Sequence, residues 1–203
     1  MILLVSGATA TVRRCKEHKN LGAFITPQAG NTPPTDMIWA ADNAAYSNWD
    51  ETKFVKMLEK IKDLENQPVF VACPDVVGDA IKTAKLFKHW QPIIKGHGLP
   101  VALVLQDGQE SIGVPWNLVD AIFIGGTDEF KLNYGYIKYI AGVAKSKSKW
   151  VHVGRVNSEK RIKFCMKIGV DSIDGTSCSM FPDTYIPKFL RFLEKEQYNL
   201  LGE

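Results

Sequence analysis

Asp42, Asp75, Gln106, Gly125, Gly126, Gly154, Arg155 and Asp174 share one placement: each stands at or just beyond the end of a short apolar run. Asp174 is the clearest case. In KIGVDSIDGTSCS (167–179), Val170 to Ile173 reads as a buried strand, and Asp174 falls where that strand runs out, followed by Gly175, Thr176, Ser177 and Ser179. A carboxylate at a strand's carboxyl end, beside a glycine that lets a substrate approach the backbone, can act as nucleophile or base. A lone Asp there would be read as a cap for the following turn. The recurrence of the pattern argues for a site instead. Three carboxylates, one amide and a glycine pair suit a flat, polar heterocycle: carboxylates accept from ring N–H and amino groups, Gln106 donates and accepts, and Gly125-Gly126 exposes backbone.

The elements that must position these residues follow from the apolar periodicity. Strands are expected at Ile2–Val5, Ala23–Thr26, Ile38–Ala41, Val69–Cys73, Val101–Leu105, Ala121–Ile124, Trp150–Val153 and Val170–Ile173. They are continuous apolar runs, as in parallel strands covered on both faces. Helical spacing is expected over Glu51–Glu65, Gly78–Trp90, Lys131–Lys145, Ser158–Ile168 and Pro182–Glu196, with Asn157 or Ser158 as a cap, and a short helix within Thr11–Lys19. Ser6-Gly7 reads as a turn, and Gln28–Asp36, with Gly30, Asn31, Pro33 and Pro34, as a loop. Eight strands mostly separated by helices predict a compact (β/α)8 TIM-like barrel, with the helix between strands two and three missing. An open doubly wound sheet is the rival architecture. Residues 1–203 are read as a single domain, without repeat or linker.

Composition narrows the classes. Hydrophobic content of 45% and charged content of 23% are ordinary globular values. A net charge of +3 means that nucleic-acid affinity has to come from a local patch. Cys15, Cys73, Cys165 and Cys178 lie far apart with no CxxC pair, which argues against a zinc site or disulfide framework and suits a reducing cytoplasm. The opening MILLVSGATA carries no basic leader and is too short to span a membrane. A cytoplasmic protein without membrane association is the expectation.

The wording of the strand ends adds a resemblance. DNAAY (42–46) resembles the DSGGFQ segment of tRNA-guanine transglycosylases. CPD (73–75), LQDG (105–108) and IGG (124–126) follow the order of that family's base-reading positions, VHVGRVNS (151–158) is similar to its MGVGTP segment, and VDSIDG (170–175) to its nucleophile segment GVDMFDCV. The resemblance runs from about Ile38 to Ser179 and implies base exchange: guanine leaves a polynucleotide and a 7-deazaguanine such as preQ0 replaces it. It implies Asp174 as the nucleophile at C1′, Asp42 as general acid/base, and Asp75, Gln106, Gly125, Gly126 and Gly154 around the base. The family's zinc-binding cysteines and histidine are absent after Cys178, so no metal cofactor is expected. The chain also lacks the region that grips tRNA in longer members, which favours DNA over tRNA, as in short phage-encoded DNA-guanine transglycosylases acting in the host cytoplasm. A homodimer or accessory protein stays open.

Nucleic acid would meet Arg155 and the basic run Lys145, Lys147 and Lys149, with Lys82 to His89 and Lys160 to Lys163 as further patches; solvated helix faces explain each alone, and such runs usually mean only that. Tyr46, Trp49 and Phe130 are read as base-stacking or loop-packing residues, and His152 as a packed histidine. Two alternatives use the same strand ends. One is a phosphosugar enzyme, isomerase or aldolase, binding phosphate after strands seven and eight, although no lysine ends a strand for Schiff-base chemistry. The other is a non-catalytic nucleobase- or nucleic-acid-binding module.

Overall fold

The structure, a computed structural model, describes residues 1–6, 10–29, 32–33, 35–46 and 49–201. The turn expected at Gly7 and the loop positions Gly30, Asn31 and Pro34 lie outside the described residues. Eight strands close a parallel barrel in chain order: β1 Ile2–Ser6, β2 Leu21–Ile25, β3 Trp39–Ala41, β4 Val71–Ala72, β5 Val101–Leu105, β6 Ala121–Ile124, β7 Trp150–Val153 and β8 Ser172–Asp174, with β8 pairing back to β1. The helices are α1 Ala10–Arg14, α2 Glu51–Ile61, α3 Ala80–Gly96, α4 Asp128–Leu132, α5 Tyr134–Ser146, α6 Glu159–Lys167, α7 Thr176–Met180 and α8 Pro182–Leu201. The barrel expected from the apolar periodicity is therefore present, and the open sheet is excluded. Among the described residues no helix lies between β2 and β3, and only a 3-10 turn, Gln109–Ser111, lies between β5 and β6.

Side chains alternate along each strand, so a parallel barrel sorts its apolar residues into two cores. Odd-numbered positions of β5 and even-numbered positions of β6 (Leu103, Leu105, Ile122, Ile124), with Val151, Val153 and Ile173, face outward and are covered by Phe54, Phe87, Ile137, Ile162 and Phe189 from the helices. Leu4, Phe24, Ala40, Phe70, Ala72, Ala102, Val104 and Ala121 fill the lumen, with Phe123 and Trp150 packed against them. Several alanines in this layer leave room for three phenylalanines, the large-against-small filling that a closed small barrel requires.

Several element boundaries differ from the sequence expectation, and three of them have a clear local cause. Pro92 does not end α3, which runs on to Gly96. Proline removes one N–H, and the buried Trp90 and Ile94 on either side anchor the helix against the barrel. The single helix expected over Lys131–Lys145 is two, because Asn133 (φ −70°, ψ 70°) closes α4 with its N–H and caps α5 with its side chain on the Tyr136 amide. β8 begins two residues later than expected and includes Asp174, since Val170 is used to close α6 onto the Cys165 carbonyl. Ser158 caps α6 as expected, accepting from the Arg161 amide. No helix among the described residues is long and apolar enough to cross a membrane.

Candidate active site

The inward parity of the strands continues past their ends and builds the site. Asp42 stands two residues beyond the lumen residue Ala40, Gln106 two beyond Val104, Gly125 two beyond Phe123, Gly154 two beyond His152, and Asp174 two beyond Ser172. All eight residues singled out from the sequence line one cavity of about 430 Å³ at the carboxyl ends of the strands. Its walls are polar and its floor is Phe24, Val104 and Phe123. Two glycines keep it open: a Cβ at Gly154 would lie 2.5 Å from the Phe123 ring and one at Gly125 2.9 Å from Val104. A larger apolar cavity, about 690 Å³ between α3 and the β5–β6 connection, carries no convergent polar groups apart from Lys85, Lys88 and two glutamines on its wall.

Asp75 is held as a scaffold. Its Oδ1 accepts from Asn43 Nδ2 at 2.7 Å and its Oδ2 from Gln106 Nε2 at 2.6 Å. Asn43 also donates to the Cys73 carbonyl (2.7 Å), and Gln106 accepts from the Gly78 amide (2.9 Å), so the amides are oriented before any substrate arrives. Burial raises the Asp75 carboxyl to about 6, against the lowering effect of these two hydrogen bonds and of the Arg155 charge. Asp42 is raised further, to about 7, first by burial and then by the charges of Asp174 and Asp75; the Asn43 and Ala44 amides offset this only in part. A carboxyl that titrates near neutrality holds or gives up a proton at working pH, which Asp75, tied on both oxygens, is badly placed to do.

Asp174 accepts at Oδ1 from the Arg155 amide (3.1 Å) and lies 3.2 Å from His152 Nε2. Its Oδ2 has no hydrogen-bond partner among the described residues. His152 was read from sequence as a packed residue, and it is fully buried; it also supports the site carboxylate directly, a contact visible only once β7 and β8 pair. Arg155 adopts the left-handed region (φ 57°) at the end of β7, a conformation costing a non-glycine residue roughly 1 kcal/mol. The strained turn aims its amide at Asp174 while the guanidinium donates to the Gly126 carbonyl (2.5 Å) and lies 4.4 Å from the Tyr46 ring centre. Arg155 is therefore folded across the cavity wall and is not a free rim residue.

Arg155 also lines a second, adjoining cavity of about 410 Å³ with Asp128, Asn157, Ser158 and Arg161, at the amino end of α6. Beside it is Lys131, whose side chain is 1% exposed and whose Nζ has no hydrogen-bond partner, the Asp128 carboxylate standing 3.7 Å away. Burial, then the charges of Arg155 and Arg161, lower its ammonium to about 8. One exposed carboxylate, Asp128, faces three cations there. In the sequence Lys131 is only the first residue of the helix expected over Lys131–Lys145, and nothing singles it out.

The expected nucleic-acid face is corrected by the topology. Lys145 is in the last turn of α5, Lys147 follows it and Lys149 precedes β7, so all three lie at the amino ends of the strands, across the barrel from the cavity. Lys145 pairs there with Asp171 at 2.6 Å. Of the aromatics read as stacking candidates, Trp49 packs on Phe54 and Trp90 (5.3 and 5.6 Å) and Phe130 on Tyr136 (5.8 Å); Tyr46 alone reaches the cavity. Cys178 is buried near Asp174, its thiol pushed up to about 12 by burial and by that charge, which leaves it inert. Among the described residues no group of three or more His, Cys, Asp or Glu is arranged to hold a metal ion.

No protein-family model and no curated protein matches the chain. Solved structures do, among them one described as "Native KDPGal structure": it is 12% identical, with a TM-score of 0.53 over 87% of this chain and 82% of that one. At that identity the likeness establishes the fold, a parallel (β/α)8 barrel. The expectation of guanine exchange and of a pentosyltransferase is corrected: the likeness lends nothing to transglycosylation, 7-deazaguanine chemistry or DNA modification. The physical reason for the misreading lies in the motifs themselves. All six fall at strand ends, where any such barrel requires a polar residue or glycine after an apolar run.

Proposed function

We propose that the protein is an acid–base enzyme acting on a small phosphorylated carbohydrate. One observation carries the reading: two adjoining cavities share Arg155, one holding a carboxyl that titrates near neutrality and the other lined by Arg155 and Arg161 against the single carboxylate of Asp128, with buried Lys131 behind it. A sugar's hydroxyls find acceptors on Asp75 and Asp174, and its phosphate finds Arg155, Arg161, the Ser158 end of α6 and the charge of Lys131. The KDPGal likeness supports the same alternative.

In this reading Asp42, as carboxylate, takes a proton from the carbon beside the substrate carbonyl or from a hydroxyl. In the first case the electron pair moves onto the carbonyl oxygen as an enediolate, protonated Asp42 returns the proton to the former carbonyl carbon, and the proton of the adjacent hydroxyl passes to the former carbonyl oxygen, which is isomerisation. In the second the C–C bond next to the new alkoxide breaks and its electrons pass to the adjacent carbonyl, which is aldol cleavage. Arg155, fixed against Gly126 and Tyr46, supplies positive charge without reorganisation. The experiment is calorimetric titration with aldose and ketose phosphates and their unphosphorylated counterparts, followed by solvent deuterium exchange into whichever phosphate binds. Phosphate-dependent binding is expected, with exchange that falls at least about 100-fold in Asp42→Asn while binding persists. Equal affinity for phosphorylated and plain sugars, or exchange undiminished in the variant, overturns the proposal.

A further inference from the structure

The lumen beneath the cavity is apolar except for one line of polar side chains. Trp150 and His152 of β7 and Ser172 and Asp174 of β8 all point inward, in the register His152 opposite Ser172. Trp150 Nε1 donates to Ser172 Oγ at 2.8 Å, Ser172 Oγ lies 2.9 Å from His152 Nδ1, and His152 Nε2 lies 3.2 Å from Asp174 Oδ1. Around this line Phe24, Phe70 and Phe123 enclose the imidazole at centroid distances of 5.4, 5.2 and 4.4 Å, and His152 is 0% exposed.

The chemistry of the donors gives the line a direction. An indole N–H only donates, so Ser172 Oγ accepts from Trp150. Ser172 is buried, and its own hydrogen needs an acceptor; His152 Nδ1 is the one within reach. The ring then accepts at Nδ1 and carries its hydrogen on Nε2, which meets Asp174 Oδ1. The reverse order would strand the serine hydrogen and set a bare ring nitrogen against a carboxylate oxygen.

We propose that Trp150, Ser172 and His152 form a one-way hydrogen-bond wire through the barrel interior that positions the Asp174 carboxylate with a donor on its Oδ1, leaving the exchangeable proton of the site to Asp42. His152 is a positioning residue, since it lines no part of the cavity. The ionisable groups facing Asp174 are His152 from β7, Asp42 from the end of β3, Lys131 from α4, Cys178 from α7 and, through its amide, Arg155 from the end of β7. Facing His152 the only one among the described residues is Asp174. Ionised Asp174 is one of the charges that hold the Asp42 proton in place, so the wire acts on Asp42 through Asp174. This consequence rests on the acid–base reading above; the direction of the wire does not.

The test therefore needs no substrate. Long-range ¹H–¹⁵N spectra at pH 8, with the His152 resonances assigned by their loss in His152→Gln, report the tautomer. The expected result is the Nε2–H tautomer in the wild type. In Ser172→Ala, with the donor to Nδ1 gone, the ring should shift toward a mixture of tautomers. Trp150→Phe, which keeps the aromatic volume, should weaken the tautomer preference in the same direction if Ser172→Ala does not fold. An Nδ1–H tautomer in the wild type overturns the wire, as does a tautomer unchanged in both variants. A wire that behaves as stated in a protein that binds no sugar phosphate would leave this inference standing and remove the functional one.

Discussion

Replacing Asp42 by Asn should make the protein more stable at alkaline pH than at acid pH, relative to wild type, and the size of the effect follows from the site. The Asp42 carboxyl is raised from 3.8 to about 7 by burial and by Asp174 and Asp75. A carboxyl with a raised folded value favours the folded state when protonated, so its contribution is fully present below the unfolded value near 4 and is lost as pH climbs to about 7. At about 1.4 kcal/mol per pH unit, an interval of about three units amounts to roughly 4 kcal/mol. Asn cannot ionise and nearly matches the shape of Asp, so the variant lacks this loss. Urea unfolding of both proteins at pH 4 and pH 8 measures it: the stability difference between them should swing toward the variant by roughly 3 kcal/mol or more across that range. Asp75, raised to about 6, follows the same trend in both proteins and largely cancels. Parallel curves, with a swing under about 0.5 kcal/mol, would mean that Asp42 ionises like a surface carboxyl, and the acid–base assignment would fall with it.

Arg155→Gly should be more stable than Arg155→Ala by about 1 kcal/mol in denaturant titration, because both lose the guanidinium contacts and only glycine accepts the left-handed φ of 57° without strain; equal stability would remove strain from the account of this turn. Gly154→Ala should cost about 1–3 kcal/mol, since the added Cβ would stand 2.5 Å from the Phe123 ring and 3.3 Å from Asp174 Oδ1, and thermal unfolding reads this directly. Lys131→Met should raise stability at pH 7 by about 2 kcal/mol after allowance for solvent screening, because an ammonium lowered to about 8 destabilises the fold as pH drops below its unfolded value of 10.5. The same variant should lose the thermal shift that inorganic phosphate gives the wild type, and a retained shift would take Lys131 out of the anion site.

What the sequence determined by itself was the barrel and the roster of one cavity. Short continuous apolar runs with helical spacing between them have few packed solutions, and a parallel barrel brings every strand end to one face, so Asp42, Asp75, Gln106, Gly125, Gly126, Gly154, Arg155 and Asp174 meet without any knowledge of pairing. What they do there was beyond its reach, because strand-end residues look alike in any enzyme of this fold. Tertiary structure decided that Asp75 is tied on both oxygens while Asp42 is free to titrate, since the Asn43 and Gln106 amides come from different strands. It carried the Lys145–Lys149 run to the far end of the barrel, where connections returning from helices to strands must lie. It also turned His152 from an isolated packed ring into the neighbour of Asp174, through a β7–β8 pairing between residues twenty and more positions apart, and it buried Lys131 beside two arginines. Periodicity reports which face a residue takes within its own element; partners and charges that arrive from other elements appear only when the chain closes on itself.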